Sequence, residues 1–306
     1  MPADIALIEA VAERALEYSY QVWGFGEGMA LLGLARAGIR CHRPQWIDAV
    51  ADLVSPSLKQ APDPTDHLIP VDVLVELARV RPVSIDDAVA RFRTAAVAGP
   101  HRPDLFDLGT TIWVDCMHTD GPGLAPAAAA LAIKRSAAML QDHTGLFSHS
   151  FDVATRRTNR AHWGRGQGWA LHGMRVVPAM LGRQVSLLTA LARYETDGAW
   201  RTIVDDPDAP IEHSVSALVA AVDGIGPAWA PMRRRALASA VAALDGNGGL
   251  PVSGATPARG RDTYLDRETG VFPWGQGPLL LALLSEELAP GGAAELAPGN
   301  TEELTS

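Results

Sequence analysis

Two aspartates set just ahead of apolar helices are the first candidates for chemistry. Asp115 lies in "TTIWVDCMHTDGPGLA", 110–125, and Asp66 in "PTDHLIPVDVLVELARV". A carboxyl group among indole and aliphatic side chains keeps its proton more readily than one in water, so Asp115 reads as a candidate proton donor. Two carboxylates brought together are the usual requirement for glycoside chemistry. Each also has a plainer reading as an N-cap satisfying free backbone N–H groups, most of all Asp66. His149, in the loop "HTGLFSHSFD", 143–152, could orient a hydroxyl or a carboxylate, or be an ordinary surface histidine. In "WGRGQGW", 163–169, Arg165 could grip a carboxylate with two parallel bonds. Trp163 and Trp169 could offer flat faces to a sugar ring, or simply fill the core. No two histidines sit at helix spacing with a carboxylate, so no metal site is expected. The glycines carry neither a preceding βαβ unit nor a Gly-Lys-Ser/Thr, so no nucleotide is expected either.

Positioning these residues is a task for helices, because strand signals are almost absent. Breaks at Gly, Pro and Asp clusters divide the chain into twelve candidate helices near 4–20, 27–37, 43–58, 68–80, 84–98, 109–119, 125–142, 167–181, 184–196, 212–223, 229–245 and 276–288. In the run 229–244, apolar residues recur three or four apart, and Arg233, Arg234 and Arg235 read as the solvated face. Every second helix is the more apolar, as in "IPVDVLVELARV" and "GPLLLALLSEEL". An internal echo supports a repeating design: "WGFGEGMALLGLARAG" from Trp23, "WGRGQGWALHGMRVVP" from Trp163 and "WGQGPLLLALLSEEL" from Trp274 each open an even-numbered helix. The expected fold is all-α, an (α/α)6 barrel of six hairpins with six helices inside and six outside. One domain would span 1–288, followed by a flexible tail over 289–306, rich in Gly, Pro and Glu. The glycines are expected to let the chain turn tightly into the inner helices and leave free N–H groups at their starts. Because inner helices of such a ring begin at one rim, Asp66 and Asp115 would converge there.

Composition narrows the partners. The 306 residues carry a net charge of −9, and the basic residues are scattered rather than clustered, which argues against nucleic acid. Cys41 and Cys116 show no metal spacing, and reduced thiols are the default. No apolar run reaches membrane length and no leader pattern opens the chain, so no membrane association and a cytoplasmic location are expected.

These segments together resemble a known family. "WGRGQGW" resembles the Trp-x-Arg-Gly-Asn-Gly-Trp signature of the unsaturated glucuronyl and rhamnogalacturonyl hydrolases, glycoside hydrolase families 88 and 105. "WVDCMHTDGPGLA", "DHLIPVDVLVEL", "GLFSHSFD", "GAWRTIVDDPDAPIEHSVSALVAAV" and "GQGPLLLAL" are similar to further family segments in the same order, from about Trp23 to Glu287. The resemblance implies an (α/α)6 barrel and the hydration of a 4,5-unsaturated uronic acid left by a polysaccharide lyase. It implies Asp115 as acid and base, Asp66 as the second carboxylate, and His149 and Arg165 as ligands of the substrate. Trp163 or Trp169 would stack on the sugar, with His118 and Gln167 in the pocket wall. No metal or organic cofactor is implied, and the expected partner is a small oligosaccharide; a homo-oligomer is compatible with the sequence. The chain departs from the pattern at Gln167, where the family has Asn, and at His118, Thr119 and Gly123 behind Asp115. Two alternatives remain on the residues alone. One is another (α/α)6 enzyme using the same aspartates, as an inverting glycosidase or an alkene-protonating enzyme. The other is a non-catalytic sugar-binding protein.

Overall fold

The computed structural model describes residues 5–60, 70–82, 84–98, 101–102, 107–108, 111–255, 260–285 and 288. Asp66 and the 289–306 tail lie outside the described residues, so the expected meeting of Asp66 with Asp115 and the expected tail both fall beyond them.

Six helices form an inner ring: α2 (Glu27–Arg40), α4 (Pro70–Ala78), α6 (Cys116–Thr119), α8 (Gly164–Arg175), α10 (His213–Ala221) and α13 (Pro273–Leu283). Each packs on the next, α4 meeting the one-turn helix 121–123 that follows α6, and α13 closes the ring on α2. The outer helices alternate with them: α1 (Ile5–Leu16), α3 (Pro44–Val54), α5 (Asp86–Ala98), α7 (Pro126–Leu140), α9 (Leu181–Tyr194) and α11 (Ala230–Ala242). The six-hairpin toroid is therefore the fold. The apolar character of the inner helices follows from their burial on nearly all sides: α10 is buried along its whole length except His213, and α8 up to Met174.

The sequence pattern gave too little weight to strands. Among the described residues a five-stranded antiparallel sheet runs β1 (His101–Arg102), β2 (Asp107–Leu108), β3 (Thr111–Trp113), β4 (Ser150–Asp152) and β5 (Arg157–Thr158). A hairpin of β6 (Pro251–Ser253) and β7 (Thr269–Val271) flanks the short helix α12 (Arg261–Leu265). The expected helix over 109–119 is thus a strand for its described first half and only a four-residue helix after Asp115. "TTIWV" concentrates β-branched and aromatic residues, which fit a pleated surface better than a helix. β3 pairs with β4 in the register Trp113↔Ser150.

Two further expectations are corrected. The glycines of "WGRGQGW" are not turn residues, since Gly164, Gly166 and Gly168 lie inside α8. A Cβ on Gly166 would come within 2.7 Å of Val114, and one on Gly168 within 2.6 Å of Leu218, so these glycines permit close packing of α8 against the β3–α6 junction and against α10. Only in the first echo does a glycine serve a turn, Gly26 at φ +72° before α2. The arginine face of α11 is also not wholly solvated. Arg233 is 1% exposed and donates to the Ala220 carbonyl at 3.1 Å and to Asp223 at 2.6 Å.

Candidate active site

Strand pairing sets the geometry of the site. The Val114 amide donates to the His149 carbonyl at 2.9 Å, continuing the β3–β4 ladder by one step. Asp115 and His149, 34 positions apart in sequence, are thereby held side by side at the start of α6. His149 Nε2 lies 3.0 Å from Asp115 Oδ2, with both side chains buried.

Behind His149 the hydrogen bonds have a fixed direction. Asn159 Oδ1 accepts from the amides of Ser150 and Ala161, both at 3.3 Å, so its Nδ2 faces and donates to the Tyr264 oxygen at 2.8 Å. Tyr264 lies on α12, is 2% exposed, and has its oxygen 2.6 Å from His149 Nδ1. Burial raises the phenol above its usual range, so it keeps its proton. A buried hydroxyl that accepts from Asn159 satisfies its own hydrogen by donating to His149 Nδ1. His149 Nε2 then carries the ring proton and donates to Asp115 Oδ2. The chain runs Asn159 → Tyr264 → His149 → Asp115. It leaves Oδ1 as the aspartate oxygen with no hydrogen bond among the described residues.

Indoles wall this group. Trp163, 1% exposed, has its ring 4.5 Å from that of His149. Trp113, half-buried, approaches the same imidazole edge-on at 4.8 Å. Trp169 is fully buried, with Phe25 at its edge and His118 stacked on it at 5.2 Å. Neither Trp163 nor Trp169 has an open face, so of these three indoles Trp113 is the one with exposed surface beside the aspartate–histidine pair.

Arg165 is wholly buried and committed to protein groups. Its Nε donates to Ser214 Oγ at 3.1 Å, Nη1 to the Gly254 carbonyl at 3.3 Å and Nη2 to Ser253 Oγ at 2.7 Å. Nη2 lies 3.6 Å from Glu212, and the guanidinium stands 5.0 Å from the Trp163 ring centre and 5.3 Å from that of Trp274. Burial lowers the Arg165 pKa against the pull of Glu212. Burial pushes Glu212 up, but Arg165 and the bonds from Ser214 and Ser253 outweigh it and hold the carboxyl below its usual range. Arg165 therefore ties the β6 hairpin to α8 and α10 and supports Trp163 from behind.

Gln167 is a backbone clamp. It donates to the carbonyls of Phe147 (2.8 Å) and Trp163 (3.0 Å) and accepts from the Phe147 amide at 2.8 Å. Gln276, in the third echo, does the same for the Val11 and Gly248 carbonyls and the Leu250 amide. In the first echo Glu27 accepts from the amides of Gln21 and Val22, each at 2.7 Å. The repeated Gly-Gln/Glu-Gly is thus a device that ties the first turn of each of these inner helices to backbone groups of neighbouring segments.

The structure brings Asp115, His149 and Trp163 together, with Arg165 behind them, and sets His118 apart. His118 lines a cavity that includes neither Asp115 nor His149. Sequence reasoning did not single out Tyr264, Asn159 or Trp113. Trp113 stood two residues from Asp115, whereas Tyr264 and Asn159 had no local signal, since only the fold brings them to His149.

The family model "Glycosyl Hydrolase Family 88" matches residues 111–288. The chain is 29% identical over 168 residues to the unsaturated rhamnogalacturonyl hydrolase YesR of Bacillus subtilis, covering 49% of this chain and 48% of that protein. It spans about half the length of this curated relative. A possible member of glycoside hydrolase family 105 from Salmonella enterica serovar Paratyphi A superposes with a TM-score of 0.78 at 17% identity, covering 91% of this chain and 92% of that one. The unsaturated glucuronyl hydrolase of Bacillus sp. GL1, responsible for glycosaminoglycan degradation, superposes with a TM-score of 0.67 at 15% identity, covering 94% and 96%. At these identities the two structures establish the shared fold.

Proposed function

The chain belongs to glycosyl hydrolase family 88, and from that premise we propose that it hydrolyses 4,5-unsaturated uronyl oligosaccharides of the kind polysaccharide lyases leave. In this reading Asp115 is the catalytic acid and base. With Oδ2 held by the His149 N–H, Oδ1 carries the proton in and out. Asp115 protonates C4 of the double bond and takes a proton from the water that adds at C5, so one water is consumed across C4=C5. The resulting hemiketal opens to a C5 ketone, leaving a hemiacetal at C1 that expels the neighbouring sugar as its alcohol. His149 keeps the carboxyl in one orientation through both proton transfers. Asp66 is assigned the second carboxylate, binding substrate hydroxyls, and Trp113 a stacking face for the sugar. The substrate is the only partner the reading requires.

The observation that carries this reading is the buried Asp115–His149 pair with its one-way hydrogen-bond chain. An unsaturated uronyl disaccharide absorbs in the ultraviolet, and hydration of its double bond removes that absorbance. The intact protein is expected to bleach the signal, and Asp115→Asn to lose at least about 10³-fold in rate. Equal bleaching by both would remove Asp115 from the mechanism. Sugar release from saturated substrates, with the absorbance untouched, would point to an ordinary glycosidase instead.

A further inference from the structure

A polar cavity of about 230 Å³ is formed by residues further along the inner helices than the Asp115 group. His118 forms part of its wall. Both ring nitrogens of His118 are buried and without a hydrogen-bond partner among the described residues. Its ring lies flat on Trp169, at an interplanar angle of 7°, so packing fixes the imidazole plane while its polar edge stays unsatisfied. Burial, with His172 and Arg175 nearby, holds His118 well below the usual histidine range, so it is neutral, with one N–H to give and one lone pair to accept. An unmet polar group at this depth is costly unless something else completes it. His172 stands beside it, donating through Nε2 to the Leu218 carbonyl at 2.9 Å, which leaves Nδ1 as an acceptor.

The charges at the cavity do not cancel. Arg36 and Arg79 share one carboxylate, Glu76, at 3.1 and 3.4 Å. Arg175, exposed in the last turn of α8, acts on Asp72 electrostatically and makes no hydrogen bond or salt bridge among the described residues. The lining carboxylate Asp223 is already engaged by Arg233 at 2.6 Å and by Ser285 at 2.8 Å. Counting Arg233, which engages Asp223 without lining the cavity itself, four guanidiniums meet three carboxylates, Asp72, Glu76 and Asp223, an excess of one positive charge, and Met29 and Leu281 are among the apolar members of the wall.

We infer that this cavity is a binding site for a small hydroxy-carboxylate, up to the size of a hexuronic acid, separate from the Asp115 site. The carboxylate would sit between Arg175 and the Arg36–Arg79 pair, where a planar guanidinium can take both its oxygens. A ligand hydroxyl, able to donate or accept, would complete His118. The volume equals that of roughly seven or eight waters, enough for one such molecule. This inference does not depend on the reaction proposed for Asp115.

Calorimetric titration of the full chain with D-glucuronate, D-glucose and inorganic phosphate tests it. Glucuronate should bind wild type and Asp115→Asn alike, and weaken at least about tenfold in Arg175→Gln and in His118→Phe, which keeps the stacked ring but removes both nitrogens. Glucose should bind at least about tenfold more weakly than glucuronate. Three results would each overturn the assignment: unchanged glucuronate affinity in Arg175→Gln, loss of that affinity in Asp115→Asn alone, or phosphate binding as tightly as glucuronate. Arg175 is exposed, so its replacement leaves the folded protein available for measurement.

Discussion

Tyr264 carries much of the consequence at the scale of single residues. Its hydroxyl sets the tautomer of His149, which in turn selects the oxygen of Asp115 that handles the proton. It touches no reacting atom in the proposed chemistry and acts as a positioning residue. Tyr264→Phe leaves His149 Nδ1 without its donor, so the imidazole can take the other tautomer and turn a lone pair toward Asp115. We expect kcat on an unsaturated disaccharide to fall about ten- to a hundredfold with KM within about twofold, and the acidic limb of the pH–rate profile to move. A change confined to KM, with an unaltered profile, would reduce Tyr264 to a packing residue.

At the scale of elements, the ring is assembled by clamps and close approaches. Gln167 fastens α8 to the loop that ends in His149, and its loss leaves the buried Phe147 N–H and C=O unpaired. Gln167→Ala should destabilise by about 2–4 kcal/mol in chemical denaturation, by the cost of stranded buried polar groups. Gln167→Glu cannot donate to the two carbonyls and should not rescue it. Gly168→Ala meets Leu218, the residue that would lie 2.6 Å from the new Cβ. We expect a loss of about 1–3 kcal/mol there, as for other overpacked cores. Ala at Gly182, with nothing within 4 Å, should raise stability slightly or leave it unchanged, since α9 gains helix propensity. A smaller melting-temperature drop for Gly168→Ala than for Gly182→Ala would contradict the packing argument.

Across the whole molecule, buried histidines make stability depend on pH. Burial, joined by Arg175, takes His172 from 6.5 to about 3, and His118 is likewise lowered by burial. A folded-state pKa below the unfolded one means that unfolding takes up a proton. The stabilisation is full above about pH 6.5 and is lost as pH falls from there toward 3. His162 contributes with the opposite sign: Asp205 and Asp142 raise its pKa against burial, so its share fades as pH rises. His172→Gln keeps a donor for the Leu218 carbonyl and removes one titrating group. Its stability should fall less steeply than wild type below pH 6.5, by about 1.4 kcal/mol per pH unit. Parallel denaturation profiles for the two proteins would sink this assignment.

Periodicity and composition were enough to determine the six-hairpin ring, because alternating apolar and amphipathic helices leave few other ways to bury their faces. The repeated Trp-Gly stretches and Asp115 were equally visible, since they are local patterns. What Arg165 and Gln167 touch was decided by tertiary structure. Both residue types suit a ligand as well as they suit backbone carbonyls, and only the neighbours choose between the two. The strand at 111–113 was hidden for a related reason: three residues carry too little period to register, and the pairing with 150–152 that stabilises them begins 37 positions away, at Trp113↔Ser150. That pairing puts His149 against Asp115, and α12 brings Tyr264 to His149. Hydrogen-bond direction and burial are properties of atoms brought together from distant parts of the chain, and no single segment contains them.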